Sequence, residues 1–420
     1  MRRRRAIVVG AAGLLSACSG PPPPAPTPAP TAAPTSPPAL ATVPPRPIPT
    51  SGGPASPPAT PTAPPPAVPT VTPAAQVALD VRLWNGSAEV HLDGRTIEPG
   101  RVMVEPAVHH VAALVDGDVV AAVDSAAEGG TVDLVVPPPQ AGLAVMVENQ
   151  ADARPQSGLP HADVVCEALA EGGITRFVAI FLTHDAPIVG PVRSLRHYFA
   201  FLAADYGADV IHIGASPEGF AWRDAMNMGH LDESAGDPGI WRVRSRPPPH
   251  NAFTDTAADR GFLLDRGRQR NRVWGPLRFS PSAPHGEERA TEITLGFRPW
   301  SYRVHYEWDA GQGRYLRWME GTPHLDGQTG EQIAPASIVV QFADVEAIPN
   351  DEKLRLDVDL VGAHGDLLVF SDGTQRSGTW SKGGARSSTR WLDDQGQPLI
   401  IPPGQVWVEL VPLGSPIQVG

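Results

Sequence analysis

Three short loop segments of the chain carry polar residues that could bind an anion: two contain arginine beside serine or glutamine, and the third contributes Ser216. The first segment follows a strand over 143–147, the second opens a predicted helix, and the third follows a strand over 210–213. Arginine recognises phosphate or carboxylate in a planar, bidentate geometry, and a helix N-terminus adds free N–H groups. Because loops at the carboxyl ends of strands meet at one edge of an open α/β sheet, we expect one anion-binding pocket. Its predicted residues are Arg154, Gln156, Ser157, Arg193, Ser194, Arg196 and Ser216.

Two glutamates offer a structural alternative to this pocket. A proline near the start and two glycines after the end predict a helix over 160–171. Glu167 and Glu171 would then lie one turn apart on one helix face. There they could pair with Arg193 and Arg196 and clamp the domain, which would leave no arginine for a ligand.

Catalytic roles are considered for the same glutamates and for residues of nearby loops. Glycosidase carboxylates usually come from different elements and face a sugar between them, which disfavours the glutamate pair. Ser194 lacks the Gly-x-Ser-x-Gly elbow of a hydrolase nucleophile. His212, at a predicted strand end, is a candidate base or a buried core histidine. A rigid proline-rich loop is expected to carry His250 and Asn251 to the cleft. No motif names a reaction.

The first eighteen residues predict where the protein resides. Arg2 to Arg5 precede an apolar run over 6–15, and the small pair Ser16-Ala17 leads into Cys18. This order is typical of a signal peptide and its cleavage site. The cysteine at the cleavage point makes the segment resemble a bacterial lipoprotein signal. That resemblance implies a diacylglycerol anchor on Cys18 and a position on the extracytoplasmic face of the bacterial cell membrane. A secretory signal without lipid and a short buried helix are the alternatives.

Charge and composition argue against nucleic-acid binding, disulfide bonds and metal binding. The net charge is −12 and is spread along the chain, which argues against a nucleic-acid binder. Cys166 is the only cysteine after Cys18, so no intramolecular disulfide is expected. Histidine, cysteine and acidic residues show no ligand spacing, so neither a metal nor a cofactor is expected.

The remaining chain divides into a tether and three folded parts, which predicts an α+β multidomain protein. Residues 19–76 are rich in Pro, Ala and Thr and should form a disordered, semi-rigid spacer. Residues 77–137 alternate and carry Asp-Gly turns, which predicts a small β-sandwich that resembles PEGA-type surface modules. Residues 141–285 predict a layered α/β domain, and residues 290–415 predict a mostly-β domain, either a barrel or a sandwich.

Within 141–285, three further elements are expected beside those above. A β-branched and aromatic run predicts a strand over 174–182. Apolar residues at helical spacing predict a helix over 194–206, with Ser194 as its N-cap. Pro217, directly after Ser216, opens another helix.

Short motifs in a fixed order connect the last two parts with a known family. They include Arg154–Leu159, Glu171–Phe177, Gly190–Arg196, His212–Pro217, Tyr315–Arg317, Pro323-His324, Val339–Phe342 and Gly404–Glu409. Together they resemble the YerB-like bacterial lipoprotein family, whose domains are of unknown function, over residues 141–415. The resemblance implies a location and an architecture but no activity. The module at 77–137 is an addition to that pattern.

These observations favour a membrane-anchored extracytoplasmic lipoprotein that binds an anionic cell-envelope ligand without catalysis. Its partners would be the membrane, through the lipid anchor, and a cell-wall or lipid-linked anion. A second hypothesis is an envelope hydrolase or transferase that acts on a phosphate-bearing glycopolymer or lipid-linked substrate. A third is a structural scaffold without a small-molecule site.

Overall fold

The computed structural model describes residues 76–268, 271–298 and 301–420. The predicted signal peptide, Cys18 and the predicted tether up to residue 75 lie outside the described residues, so these assignments stay predictions.

Seven strands at the start of the described chain form two small sheets that share one core. They are β1 (Val77–Trp84), β2 (Glu89–Leu92), β3 (Arg95–Ile97), β4 (Gly100–Val104), β5 (His110–Val115), β6 (Asp118–Asp124) and β7 (Gly130–Val135). The sheets have the orders β4-β1-β7 and β3-β2-β5-β6. Leu79, Val111 and Leu134 are fully buried in the common core. Asp93-Gly94 and Asp116-Gly117 have positive φ at both residues, as hairpin turns of this type require. The predicted sandwich is confirmed.

The next part of the chain alternates strands with three helices. Its elements are β8 (Leu143–Glu148), β9 (Val164–Leu169), β10 (Thr175–Phe181), α1 (His197–Asp205), β11 (Asp209–His212), α2 (Pro217–Ala225), β12 (His230–Asp232), β13 (Trp241–Arg242), β14 (Ala252–Phe253) and α3 (Thr256–Asp265).

The last part contains only strands among its regular elements. They are β15 (Glu288–Arg289), β16 (Glu292–Arg298), β17 (Ser301–Asp309), β18 (Arg314–Met319), β19 (Thr322–Pro323), β20 (Ser337–Ala343), β21 (Val345–Ala347), β22 (Leu356–Val358), β23 (His364–Ser371), β24 (Thr374–Ser381), β25 (Arg390–Asp393), β26 (Val406–Pro412) and β27 (Ile417–Val419).

One large mixed sheet runs through both of these parts. Its order is β12-β11-β8-β10-β9-β26-β20-β23-β24-β15, and β25 also pairs with β24. The central pair β9 and β26 is parallel, with Glu167 opposite Glu409 in the register. Because β9 and β26 lie about 240 residues apart in sequence, the middle of the sheet forms only when both parts fold together.

Both faces of the large sheet are covered. Helix α1 packs on one face, where Tyr198 and Phe199 meet strand residues such as Met146 and Val178. A five-stranded sheet of order β19-β18-β17-β16-β27 packs on the other face, where Tyr306 meets Trp407 and neighbouring side chains. The described strands therefore form open sheets packed face to face, and the sandwich alternative holds over the barrel. The predicted α+β multidomain class is confirmed.

The predicted helix over 160–171 is wrong. This segment contains a short 3-10 turn at Leu159–His161 and then strand β9, all six of whose residues are buried. A strand covered on both faces has a continuous apolar run without alternation, and proline and glycine bound such a strand as readily as a helix. Glu167 and Glu171 therefore do not share a helix face: Glu167 lies within β9, and Glu171 lies in the following turn.

Other local predictions had mixed outcomes. The strands over 143–147, 174–182 and 210–213 are confirmed, with ends shifted by one residue or less. Helix α2 begins at Pro217, and the Ser216 hydroxyl caps it by accepting from the Gly219 N–H at 3.0 Å. Ser194 is not an N-cap, because α1 begins at His197 and Arg196 holds the cap position without a side-chain bond.

Candidate functional site

A cluster of arginines lies on the α1 face of the large sheet, at the end of β8. Arg176 of β10 stands directly opposite Glu148 of β8 in the antiparallel register. Arg193 follows an isolated bridge between Val147 and Val192, and its backbone N–H donates to the Met146 carbonyl at 2.9 Å. Because side chains alternate between the faces of a sheet, these pairings place Arg176, Glu148 and Arg193 on one face.

Two carboxylates serve the arginines of this cluster. Arg193 Nε lies 3.2 Å from Glu148 Oε1, and His250 Nδ1 lies 2.9 Å from Glu148 Oε2. Glu171 contacts Arg196 through both Nε and Nη2, and its other oxygen lies 3.6 Å from Arg176 Nη2. The predicted pairing of Arg196 with Glu171 is therefore present, whereas Arg193 pairs with Glu148.

The cluster carries more positive than negative charge. Its guanidinium groups belong to Arg176, Arg193 and Arg196, and its carboxylates belong to Glu148 and Glu171. Burial lowers the pKa of Arg176 to about 10, and the charge of Arg196 adds to this shift. Burial opposes the ionisation of Glu171, yet Arg196 and Arg176 hold its pKa below the ordinary value. An added anion would relieve the repulsion between these arginines.

Arg154 is not part of this cluster. Its Nε and Nη2 donate to the side chain and the carbonyl of Asn149 at 3.3 and 3.0 Å, and its guanidinium lies over the Tyr302 ring. Asn149 follows Glu148 and projects to the opposite face of the sheet, toward Glu167. Burial lowers the pKa of Arg154. The predicted single pocket is thus divided by the sheet.

A closed ring of buried side chains lies on that opposite face. Arg317 Nη1 donates to His324 Nδ1, and because a guanidinium only donates, the His324 proton is on Nε2. His324 Nε2 donates to Gln156 Oε1 at 2.9 Å, and Gln156 Nε2 donates to Asn149 Oδ1 at 3.0 Å. Asn149 Nδ2 donates to Glu167 Oε1 at 3.0 Å, and Arg317 Nη2 donates to Glu167 Oε2, which closes the ring.

Glu409 and Tyr306 extend the ring. The Tyr306 hydroxyl donates to Glu409 Oε1 and accepts from Arg317 Nε at 3.0 Å. Burial and the charge of Glu167 raise the pKa of Glu409 well above its ordinary value. Burial and the charge of Arg317 hold the pKa of His324 far below its usual range. Arg317 also lies over the Trp407 ring at 4.2 Å from its centroid. This set is enclosed by protein and is suited to joining elements, since a substrate has no access to it.

Of the other predicted site residues, Ser194 lies at the arginine cluster, where its carbonyl accepts from Arg176 Nη1 at 2.7 Å, and the following ones lie apart from it. His212 is fully buried, its Nδ1 lies 2.9 Å from the Gly214 carbonyl, and burial lowers its pKa to about 4. Asn251 accepts from Arg242 at 3.0 Å. Ser157 forms a bridge with Gly190 through its backbone. In residues 76–268, 271–298 and 301–420, no group of three or more His, Cys, Asp and Glu side chains is arranged to hold a metal ion.

Sequence reasoning missed two members of the arginine cluster and four members of the buried ring and its extension. Glu148, Arg176, Arg317, His324, Tyr306 and Glu409 received no role. One signal was available: Glu167 and Glu409 each interrupt an otherwise apolar strand, and a charged residue within a buried run requires a partner. Arg317 occupies a buried position between Tyr315 and Met319 on β18 and is that partner.

Comparison with known proteins assigns the family. Residues 134–267 match the "Protein of unknown function (DUF3048) N-terminal domain", and residues 293–408 match the corresponding C-terminal domain. The chain belongs to this family of two-part α+β proteins. It is 34% identical over 283 residues to "Putative lipoprotein YerB" of Bacillus subtilis (strain 168), which covers 64% of this chain and 81% of that protein.

A solved structure supports the same assignment. The crystal structure of YerB protein from Bacillus subtilis matches with a TM-score of 0.58 and 30% identity, and covers 66% of this chain and 94% of that chain. The chain is therefore related to a lipoprotein family without an assigned molecular function. Among the helices of residues 76–420 that the structure describes, none is long and apolar enough to cross a membrane.

Proposed function

We propose that this protein is a lipid-anchored, extracytoplasmic lipoprotein that binds a phosphate-bearing envelope ligand through Arg176, Arg193 and Arg196. The proposed anchor is a diacylglycerol on Cys18. The proposed ligand is a cell-wall glycopolymer or a lipid-linked phosphate.

The excess of positive charge in the arginine cluster is the observation that carries this proposal. Three guanidinium groups face two carboxylates, although the Arg176 and Arg196 side chains are only 9% and 12% exposed. Concentrating like charges in a poorly solvated place is unfavourable, and a bound anion would offset this cost. Arg193 pairs with Glu148 through its buried Nε, but its side chain is 28% exposed, so part of the guanidinium can be reached by a phosphate.

The start of α1 lies beside the same cluster. Arg196 is its N-cap residue, and no side chain caps the first turn. The N–H groups of that turn and the helix dipole favour a neighbouring negative charge. These contributions all favour the binding of an anion, so the proposed role is binding.

The enzyme alternative receives less support. Its proposed carboxylate pair is separated, because Glu167 is fully buried against Arg317 on one face and Glu171 lies with Arg196 at the other cluster. A glycosidase requires two carboxyl groups that face one sugar.

A paired binding and stability experiment tests the proposal. Binding of inorganic pyrophosphate and of poly(glycerol phosphate) to the full-length protein is measured by calorimetry for wild type and Arg193→Gln. We expect Arg193→Gln to lose binding while its free energy of unfolding changes by less than about 1 kcal/mol, because the side chain is partly exposed and Glu148 retains its contact with His250. Arg101→Gln, an exposed arginine of β4, serves as the matched control.

The scaffold hypothesis predicts the reverse result. If the arginines act only as a clamp, the wild type binds neither probe and Arg193→Gln loses on the order of 3–5 kcal/mol of stability. That outcome would reject the proposed function.

A further inference from the structure

We infer that the outer face of the five-stranded sheet is a second binding site, which takes a neutral oligosaccharide. This face points away from the large sheet, and its side chains come from alternate positions of neighbouring strands. Gln418 of β27, Thr294 of β16, His305 of β17 and Trp318 of β18 stand in one cross-strand row. The inference does not depend on the arginine cluster, which lies on the far face of the large sheet.

The row forms the floor of an open cleft. The cleft has a volume of about 810 Å³, and its walls include Gly296, Arg303, Glu307, Glu320 and Pro416. The inward residues of the same strands, Val304 and Tyr306 among them, are fully buried in the core. The outward side chains are therefore not required to fill the core, and the alternation of the strands sets them toward solvent.

The polar groups of the cleft are held in fixed orientations. The Thr294 hydroxyl lies 2.8 Å from His305 Nδ1, and His305 Nε2 lies 3.2 Å from Glu307 Oε1. The backbone N–H of Arg303 donates to Glu320 Oε1 at 3.1 Å and holds that carboxylate in place. Carboxylates only accept hydrogen bonds and guanidinium groups only donate them, whereas imidazole, hydroxyl and amide groups can do both. Such a mixture matches sugar hydroxyls, each of which both donates and accepts.

Trp318 supplies the apolar element that sugar recognition requires. It is half-buried in the row, and its Nε1, which has no hydrogen-bond partner among the described residues, is buried rather than exposed to the cleft. The part of a tryptophan ring that stays exposed offers a rigid apolar surface. The C–H face of a pyranose ring can stack on that surface while its hydroxyls reach His305, Glu307 and Gln418.

The charges of the cleft decide between classes of ligand. Arg303 is its one cation among the lining residues, and Glu307 and Glu320 are its anions. This balance disfavours a phosphate-bearing or carboxylate-bearing polymer, which the arginine cluster would favour. An uncharged, hydroxyl-rich chain is not repelled by Glu307 and Glu320, and its hydroxyls can form hydrogen bonds with the polar side chains of the row.

Calorimetric titration of the full-length protein with a panel of neutral oligosaccharides, including chitotetraose and cellotetraose, tests this site. We expect at least one of them to bind at millimolar concentration or below. Trp318→Ala should weaken binding by roughly tenfold or more, and Glu307→Ala should weaken it also. Trp222→Ala, an exposed tryptophan of α2 outside the cleft, should leave binding unchanged.

Three results would overturn the inference. These are no binding by any member of the panel, binding that neither cleft variant weakens, and binding confined to poly(glycerol phosphate). Because Glu307 is 47% exposed, Glu307→Ala remains informative if Trp318→Ala does not fold. Oligosaccharide binding is also measured for Arg193→Gln. If this variant loses pyrophosphate binding but still binds the oligosaccharide, the two sites are independent, and the failure of one proposal can be distinguished from the failure of the other.

Discussion

Glu167 and Glu409 stand opposite each other on adjacent parallel strands, fully buried, and both approach the single guanidinium of Arg317. Two buried carboxylates beside one cation balance in charge only if one of them keeps its proton. Burial and then the charge of Glu167 raise the pKa of Glu409 well above its ordinary value, which favours Glu409 as the protonated member. Its Oε2 has no hydrogen-bond donor in the described chain, which agrees with an O–H group that donates toward Glu167.

Removing Arg317 should destabilise the protein severely. Arg317→Met keeps much of the volume but leaves Glu167 buried without its cation, which costs on the order of 3–5 kcal/mol. Denaturant unfolding of the full-length protein measures the loss. Arg314→Gln, an exposed arginine three residues earlier on the same strand, should change stability by less than about 1 kcal/mol. Equal losses of stability in the two variants would show that the contacts of Arg317 in the buried ring do not stabilise the fold.

Replacing Glu409 should change how stability depends on pH. In the native state the pKa of Glu409 lies above the ordinary value of 4.5, so the folded protein retains a proton that the unfolded chain releases. The contribution of Glu409 is complete below pH 4.5 and declines as the pH rises toward the native pKa, by about 1.4 kcal/mol per pH unit. Glu409→Gln removes this decline, because an amide does not titrate.

The direction of this pH dependence can be tested. The free energies of unfolding of wild type and Glu409→Gln are measured from pH 4 upward. The difference should move in favour of the variant as the pH rises. Glu167→Gln provides the contrast, since it removes the carboxylate that contacts Arg317 directly and should destabilise the protein by several kcal/mol at neutral pH. A difference between wild type and Glu409→Gln that is constant with pH would contradict a protonated Glu409.

His212 should remain neutral at pH values where an exposed histidine is charged. Burial lowers its pKa to about 4, while the unfolded chain titrates near 6.5. The unfolded state therefore binds the proton first, and the stability due to neutral His212 is lost as the pH falls from 6.5 to 4. Nuclear magnetic resonance titration of the histidine side chains checks this. Titration of His212 near 6.5 would contradict its placement.

Cys18→Ser should abolish lipid attachment, since the thiol is the proposed acceptor. Incorporation of labelled fatty acid into wild type and variant measures this. Cys166→Ser serves as control, because that thiol is buried at the centre of the large sheet and should not affect labelling. Unchanged labelling of Cys18→Ser would remove the lipid anchor from the proposed function.

Features that depend on neighbouring residues were predictable. The Asp93-Gly94 and Asp116-Gly117 turns follow from the ease with which these residues adopt positive φ, and the start of α2 follows from Ser216-Pro217. The same holds for the alternating strands of the small sandwich, because the period of the pattern reports one buried face.

The nature of β9 and the partners of the charged residues required the assembled sheet. A run such as Val164–Leu169 has the same composition as a buried helix segment, and only coverage of both faces distinguishes a central strand. Arg317 meets Glu167 across 150 residues of sequence, because β18 packs over the point where β9 and β26 pair. Likewise the sheet separates Arg154 from Arg193, since Asn149 and Glu148 project to opposite faces. Composition and local spacing carry no information on such register, which arises from pairing between distant strands.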